Sequence, residues 1–310
     1  MTEPEPLREA YERHRRRLYG LAYRLTGSVA QAEDIVQETY VRALERPLST
    51  AQPLGPWLSA VALNLGRDAL RRRKSESYIG PWLPEPVLTD DDTPLELASE
   101  SCPGARYELR ESVAIAFRIA LEALTPNERA VVVLRDVYEY DVRETARLLE
   151  LSEANVKVLH HRARGALADY DRESSARPRT REQHLVALQA FFAACMQPDD
   201  AELFRLMLAN ARGISDGGGE TRAARKIICG GGKVAAFHHK LAQGRQVVWS
   251  ALREVNGLPG VVAELSPRKP GEPTLLVFQL GLAPTGQIAE TLTMVAPSKL
   301  RGIPFERLRL

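Results

Sequence analysis

At 310 residues, with 44% hydrophobic and 26% charged side chains and a net charge of only +2, the chain reads as a soluble, folded protein of two or three domains. That balance excludes a strongly basic or acidic polyelectrolyte, and no run of about 18 apolar residues is present to cross a membrane. The N-terminal "MTEPEPLREAYERHRRRLYG" lacks the apolar core of a signal peptide, so a cytoplasmic location with no membrane partner is expected.

The first block, residues 1–75, is helical. Leu18, Leu21, Ala22 and Leu25 mark one apolar stripe, which "TGS" (26–28) breaks, and Ser28 can cap the next helix. In that helix Ala32, Ile35, Val36, Thr39, Ala43 and Leu44 face inward, leaving Glu33, Asp34, Gln37, Glu38 and Arg42 outside. A third helix begins near "GPW", keeps Trp57, Leu58, Val61, Ala62 and Leu65 on one side, and ends in "RRRK" (71–74). Periodicity alone goes no further than a three-helix bundle with charged faces.

Residues 76–105 form a Pro-rich and acidic linker, with "DDD" at 90–92. Its stretch "YIGPWLPEP" (78–86) carries Tyr78 and Trp82 beside Pro81, Pro84 and Pro86, so it is extended or polyproline-like. A plain spacer has no need of Trp or Leu. Tyr78, Trp82 and Leu83 are therefore expected to bury against another part of the chain.

The central block, 106–172, is helical again. Thr125 can cap a helix with Pro126 at its first position. Val142, Ala146 and Leu149 form one apolar seam; Val156, Leu159, Ala163 and Leu167 form another, joined by "LELS" with Ser152 as an N-cap. Two short helices joined this way are a helix-turn-helix, whose second helix can enter a major groove. Its outward residues include Glu153, Asn155, Lys157, His160, His161, Arg162 and Arg164. Arg and Lys suit phosphates and guanine edges, and Asn suits adenine. The plainer alternative is a helical hairpin used for packing. His160 and His161 point about 100° apart on a helix, so they do not share a metal ion.

A polar linker at 173–182 leads to a block, 183–310, that changes character. Residues 181–210 read as two amphipathic helices and are followed by another helical stretch. Strands are expected at 246–255, 260–265, 274–281 and 287–296, punctuated by "NGLPG" and "APTG". Helices followed by an antiparallel sheet make an α+β domain with the helices over one face. Cys102, Cys195 and Cys229 share no CxxC or Cys/His spacing, which indicates neither a disulfide framework nor a zinc site. The glycines at 217–219 and 230–232 lack the Lys-Ser/Thr ending of a phosphate loop. No cofactor or metal is expected.

"AEDIVQETYVRAL" (32–44) with "PWLSAVALNLGRDALRRRK" (56–74), then the helix-turn-helix with "NVKVLHHRAR" (155–164), resemble regions 2 and 4 of the extracytoplasmic-function sigma factors. The resemblance covers roughly residues 7–170 and implies two all-α domains whose partners are RNA polymerase core and promoter DNA. It implies that Asp34, Gln37, Glu38 and Arg42 dock on the coiled coil of the polymerase largest subunit. Asn64 would accept a flipped base of the −10 element, with Arg67, Arg71, Arg72, Arg73 and Lys74 as a basic wall for the single strand. Asn155, Lys157, His160, His161, Arg162 and Arg164 would read the −35 duplex. Glu150 stands where the family often has Gly; a non-Gly residue at positive φ costs about 1 kcal/mol, so a relaxed turn is expected.

The third block resembles the SnoaL-like, NTF2-type cone domain fused to one group of these factors. The resemblance rests on "GPWLPEP" in the linker, "DGGGE" (216–220) and "APSKL" (296–300). It implies a regulatory latch of Tyr78, Trp82 and Leu83 with Asp216, Gly217, Gly218, Gly219, Lys299 and Leu300. Relatives more often have Lys after the glycines and Asn-Pro-Asp before Lys-Leu. The implied function is promoter recognition and opening under control in cis, with a small-molecule or protein signal at the C-terminal domain left open. Some cone-fold relatives are enzymes that use an acidic base, and Asp216 is the candidate here, with His238 and His239 nearby in sequence. Two alternatives therefore stand: a SnoaL-like enzyme with a DNA tether, and a helix-turn-helix repressor.

Overall fold

Helix formation in the first block follows its apolar stripes. The computed structural model describes residues 5–45, 54–75, 78–89, 95, 111–175 and 181–308, so Cys102 and the acidic run at 90–92 lie outside the described residues. α1 (Glu5–Thr26), α2 (Val29–Glu45) and α3 (Leu54–Ser75) bury Leu18, Leu21, Leu25, Ile35, Val36, Leu58 and Leu63 between them. Ser28 caps α2, its Oγ accepting from Gln31 N at 3.1 Å. One expected core residue is misplaced by the pattern: Leu44 is 46% exposed, beside Val41 at 47%. Ala43 takes the inward position, and one residue further on the helix has turned by about 100°.

α4 (Ile115–Leu121), α5 (Pro126–Val132), a π-helical turn (Val133–Val137), α6 (Val142–Leu149), α7 (Glu153–Ala166) and α8 (Ala168–Ser175) follow. Thr125 with Glu128, and Asp141 with Glu144, form reciprocal capping boxes at the starts of α5 and α6. The turn between α6 and α7 does not relax as expected. Glu150 takes the left-handed conformation at φ 56 and ψ 44. Leu151 N donates to Ala146 O at 2.9 Å and Glu150 N to Arg147 O at 3.4 Å, the Schellman pattern that ties off the helix and holds the strained residue.

The chain divides into two compact units, Met1–Ser77 with Asp92–Asp169, and Tyr78–Asp91 with Tyr170–Leu310. In the first unit both helical blocks share one body, bound by buried arginines. Arg24 is fully buried; its Nε donates to Ser112 Oγ at 2.6 Å and its Nη1 to Tyr138 OH at 3.1 Å. Arg129 donates to Leu25 O at 3.1 Å and Leu121 O at 2.7 Å, and pairs with Glu122 at 2.9 Å. Burial pulls the Arg129 guanidinium below its ordinary pKa while Glu122 pulls it back. Buried charge is tolerated when hydrogen bonds and a counter-ion satisfy it.

The second unit contains α9 (Arg181–Cys195), α10 (Ala201–Leu206), β1 (Met207–Asp216), β2 (Ile228–Cys229), α11 (Gly231–Gly244), β3 (Gln246–Val255), β4 (Leu258–Ser266), β5 (Leu275–Leu282), β6 (Ile288–Met294), a 3-10 turn (Pro297–Leu300) and α12 (Phe305–Leu308). The sheet order is β2-β1-β6-β5-β4-β3. Two expectations are corrected. Met207–Asp216 is a strand where the sequence reads as helix to residue 210, and β1 pairs with β6 in parallel, so the sheet is mixed. Leu and Ala in "LFRLMLANA" favour helix locally, but pairing with β6 overrides that preference. Leu188, Phe191, Leu203, Val234, Ala235, Phe278, Leu280 and Ile288 form the core between the helices and the sheet. Asn256 and Gly257, at φ 50 and φ 80, make the tight turn of the β3–β4 hairpin. No described helix is long and apolar enough to cross a membrane, and no described group of three or more His, Cys, Asp or Glu is placed to hold a metal.

Candidate functional site

In the second unit the linker meets a buried carboxylate. Asp216, at the end of β1, is fully buried. Tyr78 OH donates to its Oδ1; Leu83 N donates to Oδ2 at 2.7 Å, Lys299 Nζ to Oδ2 at 2.8 Å, and Gly218 N to Oδ1 at 3.0 Å. Lys299 Nζ also donates to Leu83 O at 2.7 Å, and lies 4.6 Å from the Tyr78 ring centre and 4.5 Å from that of Trp82. The ammonium thus sits in an aromatic cage with one carboxylate. Burial, then the bond to Asp216, pushes the Tyr78 phenol far above its ordinary value, so it remains a donor. Leu83 is 1% exposed and Trp82 partly buried. Tyr78 departs from the expected burial: the residue stays 38% exposed while its hydroxyl reaches Asp216.

The glycines after Asp216 have distinct reasons. A Cβ on Gly217 would meet Thr221 O at 2.7 Å, while Gly218 and Gly219 take φ 58 and φ 79. Glu220, next along, accepts from Ser298 N at 3.2 Å and from its hydroxyl. The loop is thereby fixed to the turn that carries Lys299 and the buried Leu300. Val295 N and Ala296 N close the set by donating to Asp216 O at 2.9 and 3.2 Å.

A second grip lies further along the linker and is absent from the sequence-based expectations. Asn256 N donates to Val87 O at 2.8 Å, and Asn256 Oδ1 accepts from Val87 N at 3.1 Å. Thr89 N donates to Glu254 O at 2.8 Å, its hydroxyl to Glu254 Oε1 at 3.0 Å, and Gly257 N to Thr89 Oγ1 at 2.7 Å. "NG" reads as a hairpin turn, and nothing local shows that the Asn side chain is turned outward onto another segment.

In the first unit the recognition-helix residues divide. Asn155, Lys157, His161, Arg162 and Arg164 are exposed on α7, behind the cap that Ser152 Oγ makes to Asn155 N at 3.2 Å. His160 is turned inward: its Nε2 lies 2.9 Å from both carboxylate oxygens of Asp136 on the π-helical turn. The helix rotation that buries Val156 and Ala163 carries His160 towards that wall.

The basic wall of α3 is also less open than its composition implies. Arg67 is 8% exposed. It donates to Asn64 Oδ1, to Asn127 Oδ1 at 3.3 Å and to Leu149 O at 3.2 Å. Burial and neighbouring Arg71 lower its pKa. Arg73 donates to Thr26 O at 2.7 Å and to both Glu122 oxygens at 2.8 and 2.7 Å. Arg71 pairs with Asp68 at 2.5 Å and Arg72 is exposed; Lys74 has no described side chain. On α2, Asp34, Gln37, Glu38 and Arg42 are all exposed, with Arg42 and Glu38 paired at 2.7 Å.

Against known proteins, the Sigma-70 region 2 model matches residues 10–76 and the Sigma-70, region 4 model residues 115–167. The ECF RNA polymerase sigma factor SigJ of Mycobacterium tuberculosis is 31% identical over 309 residues, 96% of this chain and 95% of that protein. The probable ECF RNA polymerase sigma factor SigI of the same organism is 30% identical over 220 residues, 70% of this chain and 72% of that protein. A crystal structure of SigJ matches with a TM-score of 0.73 at 29% identity, covering 96% of this chain and 99% of that one.

Proposed function

Since the chain belongs to the extracytoplasmic-function RNA polymerase sigma factors, which direct polymerase core to promoters, we propose how its own residues divide that work. Asp34, Gln37, Glu38 and Arg42 form the polymerase-docking face of α2, with exposed Val41 and Leu44 supplying apolar contact beside them. Lys157, Arg162 and Arg164, with Asn155 and His161, face the −35 duplex from α7, and His160 positions that helix through Asp136. Asn64 accepts the flipped −10 base. In the arrangement described here its Oδ1 is held by Arg67, which Asn127 and Leu149 hold in turn. Base capture requires that bracket to open, so this is a resting arrangement.

The C-terminal α+β domain controls that transition in cis by holding the linker. The observation that carries this reading is the Asp216 carboxylate, shared among Tyr78, Leu83 and Lys299. Tyr78 follows the last residue of α3, Ser75, by three positions, so its grip limits the travel of the helix that bears Asn64. The same saturation argues against an enzymatic reading, because a carboxylate with four donors has no lone pair left to abstract a substrate proton. A bound small-molecule or protein signal would act by altering this grip.

In vitro transcription with core polymerase and permanganate footprinting of the −10 region tests the scheme. Asn64→Ala should abolish the melting signal and leave duplex −35 binding intact; wild-type melting in that variant removes the base-acceptor role. Removing the tail from Ala296 onward should raise activity, whereas deleting residues 181–310 should impair it. Unchanged activity in both truncations would dismiss control in cis.

A further inference from the structure

The core of the second unit is hollow on one side. A cavity of about 760 Å³ opens between α9, α11 and the sheet, within the range of small-molecule sites. Its walls are apolar and aromatic: Phe191, Phe237, Leu241, Leu265, Leu276 and Phe278 line it. At the mouth stand Phe192, Met196 and Val247, which are 37%, 74% and 54% exposed. Three large apolar side chains converging on one opening are a standing cost unless something covers them.

The polar groups decide what fits. Arg222 and Arg245 line the cavity, and no Asp or Glu is among its described lining residues. Arg245 is half-buried, and burial lowers its pKa; Glu272, which does not line the cavity, opposes that shift. One acid facing two guanidiniums leaves positive charge at the rim. Deeper in, His238 is buried and its Nε2 lies 2.8 Å from Thr291 Oγ1. Thr293, 9% exposed, lines the cavity, and its hydroxyl has no hydrogen-bond partner. Cys195 lines the wall, and burial pushes its thiol up to about 12, so it adds no negative charge there.

We propose that this cavity binds an amphipathic organic acid, its hydrocarbon body among the phenylalanines and its carboxylate at Arg245 and Arg222. The head group satisfies the rim charge, and the body covers the apolar mouth and fills a space that side chains leave empty. This deepens the regulatory reading, since Ser215 and Val295 line the cavity while Asp216 lies beside Ser215 and its carbonyl accepts from Val295 N. Binding itself does not depend on that reading.

Titration calorimetry of the full chain with dodecanoate should give saturable one-to-one binding. Dodecanol, which keeps the chain and loses the charge, should bind about tenfold to a hundredfold more weakly, and Arg245→Gln should lose a similar factor for dodecanoate. Val247→Trp, a surface substitution at the mouth, should block both. Tyr78→Phe, which removes one donor of the linker grip and leaves the Lys299–Asp216 pair intact, should still bind dodecanoate, so loss of the site and loss of control in cis are read separately. No saturable binding by the wild-type chain, or binding unchanged in both Arg245→Gln and Val247→Trp, overturns the assignment.

Discussion

The exposed face of α7 and the linker clasp of the C-terminal domain handle charge in opposite ways. On α7 the cationic side chains Lys157, Arg162 and Arg164 stand in water, where each is nearly independent of the others. In the clasp one ammonium and one carboxylate are withdrawn from water and satisfied by each other, a phenol, two backbone amides, a carbonyl and two aromatic rings. The difference teaches where stability and where specificity reside. Deleting the carboxylate or the ammonium of the clasp strands a buried charge, whereas deleting one cation of the α7 face strands none.

The largest test of that contrast is Asp216→Ala. Leaving Lys299 buried without its counter-ion should cost about 3–5 kcal/mol, read in thermal unfolding of the C-terminal domain. In a chain whose Trp57 and Trp249 are replaced by Phe, the emission of Trp82 should shift red and become quencher-accessible. If the Trp82 spectrum matches wild type, the linker is held by something other than this carboxylate.

Histidines sharpen the comparison next. His238 is held near pKa 4 against an ordinary 6.5, and burial is the cause. Its folded pKa is depressed, so the unfolded chain binds the proton first as the medium acidifies. Stability is therefore intact above about pH 6.5, falls between there and pH 4, and loses up to about 3 kcal/mol below that. His238→Gln should flatten this part of the stability–pH curve. A stability–pH curve with the same slope in His238→Gln and wild type would show that the titrating group lies elsewhere.

On the α7 face, Arg162→Ala should weaken promoter binding by about 1–3 kcal/mol if it reads a base, and Lys157→Ala should mainly flatten the salt dependence. Neither should change thermal stability measurably, which is the point of contrast with Asp216. The smallest expected effect is at the second grip. Asn256→Gly keeps the positive φ and removes the acceptor for Val87 N, so the linker should loosen by about 1 kcal/mol. Proteolysis of the 84–90 stretch, faster in Asn256→Gly than in wild type, would register it.

Much of the helical part was legible because its signals are local. Ser28, Thr125 and Ser152 cap where their types say they should, and the stripe of Leu18, Leu21 and Leu25 is buried. β1 was not legible, because "MLANA" has helix-forming residues and becomes a strand only through its partner β6. Arg67 and Arg73 read as an open basic wall because a basic run carries no sign of which members find buried partners. His160 misled for the same reason, since its partner Asp136 lies 24 residues away.

By itself the sequence determined the order of the helical blocks and the α+β domain, the capped helix starts at Ser28, Thr125 and Ser152, the helix-turn-helix and the family, all of which rest on caps, periods and short motifs. Tertiary structure decided which charges are sunk and which remain in water. Asp216 followed by three glycines is locally an ordinary turn. It becomes the linker's anchor only when Lys299, 83 positions away, and Tyr78, 138 positions away, arrive at one carboxylate. Desolvation is a property of what surrounds a group, and nothing in a residue's own stretch of chain records it.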